Sequence, residues 1–301
     1  MTQVRELTVL VEGGTFFEGV RWREGRWYAS DFGHNRVISV DPGSGRWRTE
    51  LELEVPSGLG WLPDGSLLAV SMTGHRLWRR GADGRVAMHA DLAQFSRGQA
   101  NDMVVDARGR AYVGCYGFDL GAGEDPVGAT LMRVDPDGSV HAAAEDLQFP
   151  NGAMITPDGG TLIVAETIAA RFSAFIIGAG GELRDRRIYA QVAPAPAPGP
   201  LDRVLAGVGF APDGATLDAE GCVWAGDSLH HRAARVSPAG EILEEIPAPG
   251  DRVFYGAMLG GEDGRTLMLS AAPDWRRTRP EGEAASELYT VRVDVPHAGL
   301  P

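Results

Sequence analysis

One pattern recurs six times along the chain. In each copy a polar residue, usually followed by glycine, opens a brief apolar run that leads through a glycine turn into a second strand-like run. Periods of about 40 to 50 residues with several strands each are typical of β-propeller blades, whereas the strands of a β-sandwich carry no such period. The pattern predicts an all-β, six-bladed propeller with four-stranded antiparallel blades. The openings are Glu18-Gly19, Ser57-Gly58, Asn101-Asp102, Asn151-Gly152, Asp213-Gly214 and Tyr255-Gly256.

The two ends of the chain are predicted to meet in the last blade. The sixth unit has no fourth strand before the chain stops near Val293, and the strand-like residues 4–11 belong to no unit. An N-terminal strand paired with residues 288–293 would complete the blade and remove an exposed sheet edge. We therefore expect one propeller domain over residues 1–301.

Composition narrows the classes of function. The 301 residues are 44% hydrophobic, which suits a large core, and the net charge of −13 argues against a nucleic-acid partner. No apolar run approaches about 18 residues and no signal-peptide core is seen, so we expect a soluble, cytoplasmic protein, a monomer or weak homo-oligomer, without membrane partners. Every basic residue is Arg, which excludes a lysine Schiff base. Cys115 and Cys222 lie in different units and are expected as free thiols.

Four of the openings predict a metal site. Equivalent positions in propeller blades converge on the axis, so the side-chain oxygens of Glu18, Asn101, Asn151 and Asp213 are expected to meet at one point. Two carboxylates and two amide oxygens suit a hard cation, with Ca²⁺ the best match and Mg²⁺, Mn²⁺ or Zn²⁺ as alternatives. Taken singly, each residue could instead form a turn or cap a strand. Their equivalence favours one divalent metal.

A second repeated element places an acidic residue or Ser five positions before an Arg, where the second strand ends. It could clamp an anion or form a structural pair, and repetition at one blade position favours the structural interpretation. The four copies are Asp31 with Arg36, Ser71 with Arg76, Glu166 with Arg171, and Asp227 with Arg232.

The third and sixth units lack this element and carry longer loops, over residues 117–129 and 273–285. Loops that join second to third strands share a face with the starts of the first strands, so both are expected to overhang the metal and to set substrate choice. The Pro-rich stretch 193–200 on the same face is either a lid or a stiff linker. The side chains best placed to contact substrate are Phe118, Asp119, Trp275 and Arg276.

Several stretches resemble the senescence marker protein/gluconolactonase/luciferin-regenerating-enzyme (regucalcin-like) family, in the right order over nearly the whole chain. The resemblance implies a six-bladed propeller with one divalent metal in the axial channel. The stretches are residues 149–167, 18–22, 101–106 and 212–214.

Carried over residue by residue, the resemblance makes Glu18, Asn151 and Asp213 the metal ligands, with Asn101 in contact with substrate or metal. Gln99 stands where many members have an arginine that grips the substrate. Asp119 corresponds to an acidic substrate contact in the loop of the third unit.

The resemblance implies lactone hydrolysis, and the chemistry of the predicted cage agrees with it. We expect a metal-dependent hydrolase of a carboxylic ester, a lactonase that opens a sugar or related small lactone with metal-activated water. Asp213 is the preferred general base and Asp102 the alternative. His230 and His231 are either catalytic or ordinary turn histidines. Two other classes stay open, a phosphotriesterase-like metal hydrolase on the same scaffold and a non-catalytic calcium-binding propeller.

Overall fold

The structure is a computed structural model that describes residues 5–276 and 285–299. These residues form 24 strands, one α-helix, α1 (Leu201–Gly207), and a 3-10 turn (Thr167–Ala169). In chain order the strands are β1 (Thr8–Gly14), β2 (Phe17–Arg23), β3 (Arg26–Asp31), β4 (Arg36–Val40), β5 (Trp47–Glu52), β6 (Pro56–Trp61), β7 (Leu67–Ser71), β8 (Arg76–Arg80), β9 (Val86–Asp91), β10 (Ala100–Val105), β11 (Ala111–Cys115), β12 (Ala129–Val134), β13 (Val140–Leu147), β14 (Pro150–Ile155), β15 (Thr161–Glu166), β16 (Arg171–Ile177), β17 (Leu183–Gln191), β18 (Pro212–Leu217), β19 (Val223–Asp227), β20 (Arg232–Val236), β21 (Ile242–Pro247), β22 (Arg252–Gly260), β23 (Thr266–Pro273) and β24 (Ser286–Arg292).

Within the described ranges the strands form six antiparallel sheets of four strands. Five sheets contain four consecutive strands, and each begins with an innermost strand that contains one of the repeated openings. The innermost strands β2, β6, β10, β14, β18 and β22 each contact the next one, and β22 contacts β2, so the sheets close into a ring. The predicted six-bladed propeller is confirmed.

The sixth blade is completed by the N-terminal strand, as predicted. Its strand order is β1-β24-β23-β22, and β1 runs antiparallel to β24 with Thr8 opposite Thr290 and Val9 opposite Tyr289. The observed strand begins at Thr8 and continues to Gly14, while residues 1–4 lie outside the described part of the chain. Because β1 covers the free edge of β24, the ring is closed by residues from both ends of the chain.

The core is divided among the interfaces between neighbouring blades. Each of the six interfaces contains its own cluster of buried apolar side chains. Between the last and first blades, for example, Trp22 and Trp27 pack with their rings 4.6 Å apart against Met258 and Met268. Burial of each large apolar side chain contributes about 1.5–3 kcal/mol, and this packing holds the innermost strands at the axis.

The acid–Arg element is structural, as predicted, and three of its four copies are ion pairs. Asp31 pairs with Arg36 at 2.9 Å, and the Glu166–Arg171 and Asp227–Arg232 pairs have the same form. Each carboxylate also accepts a backbone N–H from the segment before an innermost strand, as Asp31 does from Thr15 at 2.9 Å. In the fourth copy Ser71 instead donates to the carbonyl oxygen of Glu54.

The Pro-rich stretch 193–200 leads directly into α1, a helix that the sequence did not predict.

No helix in the part of the chain that the structure describes is long and apolar enough to cross a membrane. Cys115 and Cys222 are buried free thiols, as predicted.

Candidate functional site

An irregularity in strand pairing repeats where the polar openings lie. The register between innermost and second strands shifts between Glu18 and Arg21 in the first blade, and between Ala100 and Met103 in the third. The same shift occurs in the other four blades. A β-bulge re-aims the side chain beside it, so the repeated bulge turns equivalent side chains toward the axis.

Close approach of the innermost strands depends on the glycines that follow these residues. A Cβ added at Gly152 would lie 2.5 Å from the backbone nitrogen of Ala215 and 2.5 Å from the carbonyl oxygen of Asp213. Backbone atoms cannot move aside as a flexible side chain can, so glycine is required at this position.

The re-aimed side chains meet in a cavity of about 440 Å³ on the axis, a size suited to a small organic ligand. Residues at the starts of innermost strands line it together with residues from the loops after the second strands, so both sets share one face of the propeller as predicted. The predicted metal ligands Glu18, Asn101, Asn151 and Asp213, here called the polar cluster, all line this cavity and are all buried.

Several polar atoms of the cluster are buried without a protein partner, namely Asn151 Oδ1, Asp213 Oδ1 and Asn101 Nδ2. The orientation of the Asn151 amide follows from its neighbour. Thr167 Oγ1 donates to the carbonyl oxygen of Pro212 at 2.8 Å, so it can only accept from Asn151 Nδ2, 3.3 Å away. Asn151 Oδ1 is thereby left as a free acceptor. A buried acceptor without a partner is costly, so this oxygen is available to a cation, a water molecule or a donor of a ligand.

Asn101 needs one further consideration. Its Oδ1 accepts from Ser57 Oγ at 3.4 Å. A hydroxyl can donate or accept, and the two ends of an amide have nearly the same shape. Rotation of the Asn101 amide by half a turn would keep the contact with Ser57 and present Oδ1 to the cavity, so Asn101 fits an oxygen cage as well.

The electrostatics of the cluster favour a bound cation. Burial raises the pKa of Glu18 well above its usual range, and the charges of Asp213 and Asp102 raise it further. Burial also raises the pKa of Asp213, to about 8, with Asp102 adding to the effect and hydrogen bonds from Ser228 and Asn151 opposing it. A divalent cation would remove both causes, since it neutralises the repulsion and replaces the lost hydration.

Arg21 is the basic group next to this cluster. Its guanidinium pairs with Asp102 at 2.7 Å and donates to the carbonyl oxygens of Val20, Leu59 and Met103. Both partners of the pair are buried. With Glu18, Asp102 and Asp213 ionised, one guanidinium leaves two negative charges, the charge that a divalent cation balances. Asp102 does not line the cavity.

Two tyrosines border the polar cluster. Burial raises the pKa of Tyr116 and of Tyr255, and the nearby carboxylates add to this, so both are neutral phenols at physiological pH. Tyr116 stacks on Phe149 with ring centroids 4.3 Å apart. Tyr255 OH donates to the carbonyl oxygen of Pro273 and accepts from the N–H of Trp275, which ties the start of the sixth-unit loop to an innermost strand.

The predicted substrate-contact residues divide into two groups. Gln99, Phe118 and Trp275 line the cavity. Asp119 is exposed and accepts from the N–H of Ala122 within its own loop, and Arg276 pairs with Asp274 at 2.7 Å. Neither lines the cavity, because local turn chemistry engages both side chains. Residues 277–284 of the second loop lie outside the described residues.

The candidate histidines also lie away from the cavity lining. His230 Nδ1 is 2.7 Å from Asp227 Oδ1, and His231 Nδ1 is 2.7 Å from the carbonyl oxygen of Arg252. His34 makes the equivalent contact to Asp31 at 2.8 Å. These are turn histidines held by neighbouring groups.

Sequence reasoning missed most of the apolar lining. The helix α1 places Leu205 in the cavity, and its apolar residues at spacings of three and four are a helical signal that could have located it. Val55 (φ 37°) and Phe149 (φ 62°) also line the cavity in left-handed backbone conformations. Such conformations cost about 1–3 kcal/mol and are retained where the surrounding structure imposes them.

Fold and site together define a class, a six-bladed propeller with a mixed carboxylate–amide cluster in an axial cavity. Residues 16–273 match the family described as SMP-30/Gluconolactonase/LRE-like region, and the chain belongs to this family. The resemblance seen in the sequence is confirmed.

Named relatives indicate the kind of chemistry. The chain is 29% identical over 289 residues to 6-deoxy-6-sulfogluconolactonase of Pseudomonas putida, covering 93% of this chain and 91% of that protein. It is 26% identical over 297 residues to a pentonolactonase of Haloferax volcanii, covering 94% and 92%. The structure of a calcium-binding protein, regucalcin from Agrobacterium tumefaciens, superposes with a TM-score of 0.76 at 19% identity, covering 100% of this chain and 97% of that one. The last likeness shows the fold, while the first two support a lactone-hydrolysing enzyme.

Proposed function

We propose that the protein is a divalent-metal-dependent lactonase that opens a small lactone by attack of water on its carbonyl carbon. The observation that carries the proposal is the polar cluster, in which two buried carboxylates and two amides converge on one cavity with oxygen acceptors that lack protein partners.

The donor set supports Ca²⁺ as the cation. Within residues 5–276 and 285–299 no three Asp, Glu, His or Cys side chains are grouped to hold a metal, so the proposed cage depends on amide oxygens beside its carboxylates. Carboxylate and amide oxygens without imidazole or thiolate suit a hard cation. Bound there, the cation would polarise the lactone carbonyl and stabilise the charge that develops on its oxygen. The proposed ligands are Glu18, Asn151 and Asp213, with Asn101 as the fourth or one step removed.

The residues of the chain supply binding and proton transfer. Asp213 accepts a proton from the attacking water as the new C–O bond forms. The same proton passes to the ring oxygen as the acyl–oxygen bond breaks, which yields the open hydroxy acid and restores the carboxylate. Asp102 is bound to Arg21, so we assign it to holding that guanidinium rather than to taking the proton.

The proposal is tested with purified protein stripped by chelator and reloaded with single metals. Hydrolysis of a lactone panel and of phosphotriesters is followed with and without Ca²⁺, Mg²⁺, Mn²⁺ or Zn²⁺. We expect lactone hydrolysis that disappears with chelator and returns most fully with Ca²⁺. Asp213→Ala is expected to lose both stoichiometric metal and activity.

Asp263→Ala is the matched control, because Asp263 is an exposed aspartate paired with Arg292 on the surface. It should keep metal and activity. Full activity in the presence of chelator, stoichiometric Ca²⁺ in Asp213→Ala, or turnover of phosphotriesters without lactones would each refute the proposal.

A further inference from the structure

Beyond the polar cluster, the cavity is lined mainly by aromatic and aliphatic side chains. They come from two apolar clusters, one on each side, that include loop residues and α1. On one side Phe16 stacks against Phe32 at 5.2 Å and packs on Tyr255 at 4.5 Å. This set, here called the apolar lining, includes Phe16, Phe32, Met72, Phe149, Ile168 and Leu205.

Outside the polar cluster, four of the seven polar side chains among the described lining residues are already engaged by the protein. Thr73 Oγ1 donates to Glu54, and Tyr255 OH donates to the carbonyl oxygen of Pro273. Ser228 Oγ donates its one hydrogen either to the carbonyl oxygen of Ala211 or to Asp213. Thr167 is likewise held between Asn151 and Pro212. Outside the polar cluster, the described lining residues with unpaired side-chain polar groups are Gln99, Tyr116 and Trp275.

The charged side chains of the described lining are the two carboxylates of the polar cluster. Among the lining residues in the described ranges none is Arg or His. Arg97, two residues before the lining residue Gln99, is exposed and lies 3.8 Å from Glu124. Arg276 pairs with Asp274. In the described lining, charge is therefore confined to the polar cluster and separate from the apolar lining.

From this lining we infer that the substrate is a lactone with an alkyl or aryl substituent rather than a polyhydroxylated lactone. The lactone carbonyl lies at the polar cluster while the substituent packs on the apolar lining. A sugar lactone would bury several hydroxyl groups against hydrocarbon, and each one without a partner weakens binding. An added methylene on that surface strengthens it. This inference rests on the proposed lactonase function and specifies its substrate class.

The test compares δ-valerolactone, δ-octalactone, δ-decalactone and glucono-δ-lactone on the Ca²⁺-loaded protein. We expect kcat/KM to rise about fourfold per added carbon until the cavity is filled. The kcat/KM for glucono-δ-lactone should fall at least about tenfold below that for δ-valerolactone. Affinities of the corresponding lactams, which are not turned over, are measured by calorimetry in parallel and should follow the same order.

A pair of variants localises the effect. Leu205→Gln keeps helix propensity and side-chain length but places an amide in the lining. It should lower kcat/KM for δ-octalactone about tenfold while changing δ-valerolactone much less. Leu243→Gln makes the same change at an exposed position of β21, where Leu243 is 49% accessible, and should change neither substrate.

The outcomes separate the two proposals. Efficient hydrolysis of gluconolactone in preference to the alkyl series overturns this inference and leaves the lactonase proposal standing. Absence of hydrolysis of every lactone overturns the lactonase proposal, and the lactam affinities then decide the apolar preference alone. A flat affinity across the alkyl lactams, or equal effects of Leu205→Gln and Leu243→Gln, also overturns the inference.

Discussion

Removal of the Arg21 guanidinium, as in Arg21→Met, should weaken the fold and strengthen cation binding at once. Arg21 is buried, pairs with Asp102 at 2.7 Å and donates to three carbonyl oxygens contributed by three innermost strands. Loss of one partner of a buried pair leaves an uncompensated charge and costs about 3–5 kcal/mol. For a protein of this size we expect the Tm in chelator to fall by roughly 6–10 °C.

The same substitution, Arg21→Met, should strengthen Ca²⁺ binding although it weakens the fold. Without Arg21 the three carboxylates near the axis carry one more uncompensated negative charge. For a separation on the order of 10 Å and an effective dielectric constant near 20, a unit charge and a divalent cation interact by about 3 kcal/mol, so the Kd for Ca²⁺ should tighten about a hundredfold. Asp102→Asn removes one negative charge and should weaken Ca²⁺ binding by a similar factor.

Calorimetric titration of Ca²⁺ into the stripped proteins gives the affinity order, and thermal scans with and without Ca²⁺ give the stabilisation. We expect Arg21→Met to bind tightest, the unmodified protein next and Asp102→Asn weakest. At saturating Ca²⁺, Asp102→Asn should retain lactonase activity, because Asp213 is the proposed base. An affinity order that does not follow charge would refute the electrostatic reasoning, and an inactive, fully loaded Asp102→Asn would transfer the base role to Asp102.

Three further predictions concern the scaffold. Deletion of the chain through β1 should expose the edge of β24 and cause aggregation, seen by light scattering, whereas a monodisperse product would contradict the closure role. Burial alone would raise the pKa of Glu166, but hydrogen bonds from Arg171 and Ser173 outweigh it and lower that pKa. Its stabilisation is therefore present above the unfolded value of about 4.3 and lost as pH falls through the folded pKa. The Tm of Glu166→Gln and of the unmodified protein is measured from pH 6 to pH 3. The variant should have the lower Tm at pH 6, and its Tm should fall less steeply as the pH decreases. Two parallel curves of Tm against pH would contradict this. Gly152→Ala should lower Tm and weaken Ca²⁺ binding in the same titration, because its Cβ meets backbone of the neighbouring strand at 2.5 Å, and an unchanged variant would show that the strands can separate freely.

What could be predicted from the sequence follows the repeats. Since equivalent positions in a closed ring are related by rotation about one axis, four polar residues at one repeat position identified both the fold and a common cavity. The repeats also predicted the position of β1. The sixth unit lacked a fourth strand, and the N-terminal strand was the one strand that belonged to no unit. Repetition of the acid–Arg element likewise marked Asp31, Glu166 and Asp227 as structural.

What tertiary structure alone decided lies where no repeat constrains the chain. Asp102 follows a repeat residue, yet its partner Arg21 comes from another blade, so the pairing could not be derived from local spacing. Asp119 and Arg276 are polar loop residues that bind groups of their own loops instead of lining the cavity. The sequence does not show which of these two roles a polar loop residue takes. The apolar lining is built from loops of several units and from α1, elements with different lengths and no shared register. Rotation relates the blades but not these loops, so the side chains that face a substrate are set by packing among segments distant in sequence.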